Sequence, residues 1–559
     1  MHRDLDSLQR QVFDVVVVGA GIHGACLAYD AAQRGLTVAL VERRDFGSAT
    51  SAASSKVLHG GIRYLQQFEF AKLRESALER SSFQRIAPHL THYVPFLIPA
   101  YRGLARGRMP LRAALTLHEW LCAGQNARIH DRSKRVPRSR VCTKGETLAL
   151  APVLEYQPGL TGAGLLYESH MHSSERMTLA FVKSAARRGA CVANYVSVDR
   201  LVAEGRTARG VVARDEMSGD TFDIRARVVV NAAGPWIPSL NHAFGSSGLT
   251  RRITKFAKGA HLVTRPLTRD VALVLPTRKP QRRVIDRGGR HLFVIPWRGR
   301  SLIGTSNVPF GEQPGDVRAT ASDVRGFVDD VNAALPGVDL SRADVTYAFA
   351  GLYPLTDEEV QPDVYQATGT YQIVDHRARG DLDGVVSVLG MKFTTARRVA
   401  ERATDLIVER LGTTAGPSRT ATAPLVGGSI DDLPGFLATT TERLRGHVSP
   451  EVVRHLVDHY GTELDDVLAM RGPGLRPTAA VADDRECIEA EIAYAVAQEM
   501  ALHLEDVVFR RTGLGTLGDP GEAGLRRCAG IMAGLLGWSD ARLDEELAAT
   551  RSRFNFGGS

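Results

Sequence analysis

Phe13-Asp14-Val15-Val16-Val17-Val18-Gly19-Ala20-Gly21-Ile22-His23-Gly24 is the stretch that decides the fold. Its consecutive valines fit a strand buried on both faces of a parallel sheet. Glycines follow at GxGxxG spacing, each with a mechanical task. Gly19 permits a tight turn, Gly21 lets backbone approach a pyrophosphate, and Gly24 lets the next helix pack closely on the strand. Ala25 to Arg34 reads as that helix, closed by Gly35. Its N-terminus offers free N–H groups and a positive dipole end to phosphates. Thr37 to Val41 is a second strand, ending in Glu42, 23 positions after Gly19. An acid there accepts hydrogen bonds from ribose hydroxyls and disfavours a 2′-phosphate, which argues against NADP. A GxGxxG alone would be weak; strand, glycines, helix, second strand and acid in register identify a Rossmann-type dinucleotide unit.

Working outward, the chain of 559 residues is too long for one core, so two or three domains are expected. Its 44% hydrophobic and 24% charged residues fit a soluble globular protein. No apolar run reaches the roughly 18 residues of a membrane span. Met1 to Val12 lacks the order of a signal peptide, so the cytoplasm is the expected compartment. Cys26, Cys122, Cys142, Cys191, Cys487 and Cys528 show no CxxC spacing and are read as free thiols, with no metal site. A net charge of +8 is spread along the chain with no aromatic-and-basic block, so no nucleic-acid partner is expected.

Three later segments separate FAD from NAD. Ser48-Ala49-Thr50-Ser51-Ala52-Ala53-Ser54-Ser55-Lys56 is a hydroxyl-rich stretch soon after Glu42. Val228 to Asn231 is a strand running into the small-residue turn Ala232-Ala233-Gly234-Pro235-Trp236, where backbone can press on a cofactor. Val385 to Leu389 is a strand followed by Gly390-Met391-Lys392-Phe393-Thr394-Thr395, a turn and helix start able to stabilise negative charge on a reduced flavin.

On these segments the chain resembles the FAD-dependent glycerol-3-phosphate dehydrogenases, within the D-amino-acid-oxidase-like flavoproteins. The matching residues include Ser54-Ser55-Lys56-Val57-Leu58-His59-Gly60-Gly61-Ile62-Arg63-Tyr64-Leu65, Asn231 to Trp236, Lys258-Gly259-Ala260-His261, Lys392 to Thr395 and Leu504 to Thr512. The resemblance spans nearly the whole chain. It implies an α/β fold: a Rossmann-type FAD-binding domain, an antiparallel β-sheet substrate domain and a C-terminal helical domain. Residues 1–90, 165–235 and 350–410 are expected to form the discontinuous FAD domain. Residues 91–164 and 236–349 are expected to form the substrate domain, 411–429 a linker, and 430–559 the helical domain, with a flexible tail from Asn555.

It further implies oxidation of a secondary alcohol, sn-glycerol 3-phosphate above all, with electrons passed to quinone at a membrane surface or to another acceptor. Peripheral attachment to the inner membrane face and a homodimer are left open. The expected FAD contacts are Gly19, Gly21, Gly24, Glu42, Arg43, Thr50, Ser51, Ser54, Ser55, Lys56, Val196, Ala233, Gly234, Trp236, Gly390, Lys392, Thr394 and Thr395. His59 and His261 are candidate bases, suited by an imidazole pKa near neutrality. Arg63 is a bidentate anion grip and Lys392 a cation beside the flavin. Arg63, Tyr64, His261 and Tyr353 are the expected substrate contacts.

Two positions that usually carry phosphate-gripping arginines in this family hold Tyr353 and Gly369, and Asn307 stands where an aspartate is usual. Arg282, Arg283 and Arg287 are candidates to compensate. A polyol, hydroxy acid or amine anchored without those arginines is therefore the alternative substrate.

Overall fold

A computed structural model describes residues 1–103, 107–246, 256–276, 291–355, 370–472, 474–483 and 485–556. Gly369, Arg282, Arg283 and Arg287 lie outside them. The Val12–Val18 strand pairs in parallel with Val38–Glu42 on one side and Thr221–Asn231 on the other. Beyond these run Cys191–Asn194 and Val385–Leu389, also parallel, and an antiparallel edge strand, Gln372–Asp375. Asp14 fixes the entry to the second strand by accepting hydrogen bonds from the Thr37 backbone and hydroxyl.

The Ile22–Gln33 helix begins at Gly21 and ends where Gly35 takes a positive φ of 92°. Ala25, Leu27, Ala28 and Ala31 bury it between the Ser174–Arg187 and Ala396–Leu411 helices. Val15 and Val17 face this helical layer while Val16 and Val18 pack on the other side with Leu201, Val211 and Leu240, so the sheet is covered on both faces as the valine run requires.

The second sheet has ten strands among the described residues. Phe256–Thr264 is paired antiparallel with Val345–Pro354, Arg300–Gly304 and Val308–Phe310. The sheet continues through His291–Trp297 and Ala272–Pro276 to Thr91–Tyr101 and Leu160–Met171. Among the described residues its one parallel pairing, Ala272 with Phe96, joins its two halves. Leu160–Met171 and Val345–Pro354 each run across a limit expected from sequence, at residues 165 and 350, and both belong to this second sheet. Val57–Leu58 joins it as well.

Helices Leu433–Arg443, Pro450–Tyr460, Glu489–Glu499, Gly521–Leu536 and Asp540–Ser552, with a π-helical turn at Asp506–Arg511, make the C-terminal region. Val507, Phe509, Leu525 and Met532 share one apolar core with the second sheet. The 411–429 segment is pinned to the first domain: Leu425 N–H donates to Ile86 O at 2.8 Å and Thr420 Oγ1 to Asp30 at 3.1 Å. The tail is not free at Asn555. Phe556 is buried against Tyr347, with the Arg342 guanidinium 4.6 Å from its ring. All six cysteines are free thiols.

Candidate active site

A cavity of about 1300 Å³ opens at the carboxyl ends of the parallel strands, where an open α/β sheet receives its ligand. Its floor is the fingerprint. Gly19 adopts φ +100° and lies so close to the next strand that a Cβ there would sit 2.8 Å from Ala232 O. A Cβ on Gly24 would fall 1.9 Å from Gly19 O, so only glycine lets the helix approach the strand. Ser51 reaches across from the hydroxyl-rich stretch, its Oγ accepting from Ile22 N–H at 2.9 Å. Glu42 accepts from Ala20 N–H at 2.8 Å and Arg44 N–H at 3.1 Å, which orients its carboxylate at the cavity wall. Burial raises its pKa, against these backbone hydrogen bonds.

Of the expected cofactor contacts, Gly19, Gly21, Glu42, Arg43, Thr50, Ser51, Ser54, Val196, Ala233, Gly234, Trp236, Gly390 and Lys392 line this cavity together. The Arg43 guanidinium lies 4.4 Å from the Trp236 ring centroid. The rest sit behind the wall. Gly24 is the packing contact just described. Ser55 O meets His170 Nε2 at 3.2 Å. Lys56 is fully buried in an ion pair with Glu175 at 2.8 Å, held also by Ser174 Oγ at 3.1 Å. Thr394 Oγ1 accepts from His59 N–H at 3.0 Å. Thr395 stands at the start of the Ala396–Leu411 helix, without a side-chain capping bond, and lines a smaller cavity of about 740 Å³.

The two cavities share Met391 and Lys392. Lys392 Nζ sits 3.8 Å from the Tyr64 ring centroid and contacts Tyr64 Oη. Burial, and secondarily Arg63, lowers its pKa to about 7. Tyr64 lines the smaller cavity, and His59 lies close enough to Lys392 and Arg63 to feel both charges. The structure thus gathers His59, Arg63, Tyr64 and Lys392.

The pKa expected of His59 is corrected: burial first, then Lys392 and Arg63, pull it down to about 3. Its ring rests on Phe293 at 6.0 Å. His261 stands apart from this group. It stacks on Phe349 at 5.1 Å, fills the space left by the missing side chain of Gly304, and burial lowers its pKa to about 3 as well. Neither imidazole is among the described wall residues. Tyr353 is on the wall of the large cavity, and its hydroxyl hydrogen-bonds Asn307 Oδ1.

Several wall residues escaped the reading of the sequence, His23 among them. His23 occupies a variable position of the fingerprint, yet its ring reaches where a Gly390 Cβ would be, 1.7 Å from Nε2. That nitrogen is buried with no hydrogen-bond partner among the described residues. A glycine cradle, an oriented ribose-binding acid and an unmatched buried nitrogen at the ring end fit a flavin dinucleotide.

A family model described as FAD dependent oxidoreductase matches residues 14–406, and one described as the C-terminal domain of alpha-glycerophosphate oxidase matches 418–543. Glycerol-3-phosphate dehydrogenase 2 of Mycobacterium tuberculosis is 34% identical over 557 residues, covering 98% of this chain and 88% of that one. The aerobic glycerol-3-phosphate dehydrogenase of Staphylococcus aureus is 28% identical, covering 91% and 88%. The structure of the glycerol-3-phosphate dehydrogenase from Bacillus halodurans complexed with FAD superposes with a TM-score of 0.78 at 26% identity, over 99% of this chain and 97% of that one.

Proposed function

The chain belongs to the FAD-dependent oxidoreductase family, with the glycerol-3-phosphate dehydrogenases, and from that premise we propose that it oxidises sn-glycerol 3-phosphate to dihydroxyacetone phosphate. The observation that carries this reading is Lys392 on the wall the two cavities share, in contact with Tyr64 and with Arg63 and His59 close enough to interact electrostatically, in a chain matched over 98% of its length by such a dehydrogenase.

Bound in the large cavity, FAD supplies the hydride acceptor. The residues around it orient the substrate and move its proton. Arg63 presents a planar fork for a phosphate or oxyanion. His59, neutral at working pH and a weak base, receives the hydroxyl proton on a ring nitrogen only as the hydride leaves the carbon, when that proton is most acidic, while Phe293 fixes the ring and Thr394 its backbone. Lys392, as an ammonium, offsets the negative charge that develops at the ring end.

The electrons then pass to a quinone or another acceptor. A quinone at the inner membrane face is supported by the surface beside the smaller cavity. The Arg108–Leu121 helix packs on the Phe70–Ile86 helix that lines that cavity, and exposes Met109 and Trp120 (75% and 73%) with Arg108 and Arg112, while Phe68, just before the latter helix, is 79% exposed. No described helix is long and apolar enough to cross a membrane, so attachment through this face would be peripheral.

Anaerobic mixing of the purified protein with glycerol 3-phosphate and with unphosphorylated polyols tests the substrate. Glycerol 3-phosphate is expected to bleach the flavin absorbance fastest. Bleaching by an unphosphorylated polyol but not by glycerol 3-phosphate would overturn the reading in favour of the differently anchored substrate.

A further inference from the structure

The far end of the large cavity is walled by residues from outside the segment matched as an oxidoreductase. Leu502, His503, Leu536, Trp538 and Arg542 line it together with Arg43 and Val196. Glu42 marks this as the end of the adenosine half, because an acid closing the second strand of a Rossmann unit meets the adenosine ribose.

These side chains are held in place. Glu546 Oε1 pairs with His503 Nδ1 at 2.8 Å and with Arg542 Nη2 at 2.6 Å, and Arg542 Nη2 also lies 3.1 Å from His503 Nδ1. Glu546 Oε2 accepts from Leu504 N–H at 2.9 Å. The His503 ring lies 4.7 Å from that of Tyr195, the residue just before Val196. Tyr195 itself has a positive φ of 54°, donates its hydroxyl to Asp506 at 2.7 Å, and donates its N–H to Arg44 O at 3.0 Å.

Behind this wall, the loop that follows Glu42 is bolted to the same domain. Asp45 is fully buried and takes Arg511 at 2.7 Å through both oxygens, Arg510 Nε at 2.6 Å and Asn194 Nδ2 at 3.1 Å. Glu42 to Asp45, Asn194 to Val196 and the π-helical turn Asp506–Arg511 therefore form one rigid unit around the adenosine end. Trp538 also packs on the apolar core and Arg542 pairs with Glu546, so both are firmly placed. Trp538 and Arg542 lie outside that junction, half-buried on the cavity wall, where an indole and a guanidinium suit a purine face and its ribose-phosphate.

We propose that the C-terminal helical domain is part of the cofactor site: Trp538, Arg542 and His503 hold the adenosine half of FAD, and the Asp45–Arg510–Arg511 junction positions them. The domain would then do more than cover the fold; its presence would set the preference for the dinucleotide over the mononucleotide.

Deflavinated full-length protein titrated with FAD and with FMN, which lacks the adenosine half, reads this directly, with ADP as a competitor of FAD uptake. W538A and R542A are each expected to weaken FAD binding by roughly 10-fold, the loss typical of removing a base-stacking aromatic. FMN affinity should hold, and inhibition by ADP should weaken in step with FAD. W538F should restore FAD binding. An FAD-to-FMN ratio and an ADP effect equal to wild type in W538A and R542A would overturn the proposal, whether the two flavin affinities hold or fall together. The readout is independent of the substrate.

Discussion

At the scale of single residues, the role proposed for Lys392 carries a pH dependence. Its pKa is lowered to about 7, by burial first and Arg63 second. Above that pH it is neutral and cannot offset a negative charge at the ring end, so the second-order rate of flavin reduction should fall as pH rises through about 7. K392R keeps its charge and should shift that alkaline fall out of range. K392M should slow reduction by roughly 10²–10³. Anaerobic stopped-flow across neutral pH checks both, and a rate that instead rises through this range would mark Lys392 as the base.

Tyr353 makes a second case. Its hydroxyl bonds Asn307, so the two positions where the resembling family carries an arginine and an aspartate form a neutral pair here. Y353R places a cation on the cavity wall and should lower KM for glycerol 3-phosphate by roughly 10-fold, the worth of one charge-assisted hydrogen bond, with kcat little changed. The identities of both residues are plain in the sequence. Their bond is not, because 46 residues separate them.

At the scale of elements, the fingerprint turn was legible because everything that makes it is local. Gly24 has to be glycine for the helix to reach the strand, and a Cβ would meet Gly19 O at 1.9 Å. G24A should therefore cost roughly 1–3 kcal/mol and lower the thermal midpoint, with loss of bound flavin. The second sheet was harder to delimit. Leu160–Met171 takes its partner from Thr91–Tyr101, and no short-range pattern records that pairing. The partner of the Lys56 ammonium was not legible for the same reason: Glu175, which claims it, is distant in sequence.

The Arg108–Leu121 helix is a further element whose role shows only in the folded chain. Leu115 and His118 face inward, while Met109 and Trp120, three turns apart, share the outer face with Arg108 and Arg112 nearby. If this face meets a membrane, W120S with M109S should abolish co-sedimentation with anionic vesicles and leave flavin reduction by substrate unchanged. Equal sedimentation of variant and wild type would rule this face out.

At the scale of the whole molecule, charge rather than apolar packing marks the seam between the first domain and the C-terminal helices. Glu499 is wholly buried and meets Arg176 at 2.6 Å and Lys183 at 2.8 Å. Lys183 also reaches Glu463 at 2.6 Å. Burial alone would raise the Glu499 pKa, but Arg176 and Lys183 outweigh it and hold the group down to about 2, from an ordinary 4.5. A carboxylate depressed in the folded state contributes stability that is present above its unfolded pKa and is lost as pH falls towards the folded one. The seam should therefore weaken between pH 4.5 and about 2, by roughly 3 kcal/mol from this group alone. Breaking a buried pair leaves uncompensated charge, so E499Q should cost roughly 3–5 kcal/mol at neutral pH. It should also flatten the acid limb, since the group that titrates is gone. Urea unfolding of both proteins at a series of acidic pH values measures the two effects together. An acid limb as steep in E499Q as in wild type would place the titrating group elsewhere, with Asp45, held low by Arg511 and Arg510 against its burial, the next to substitute.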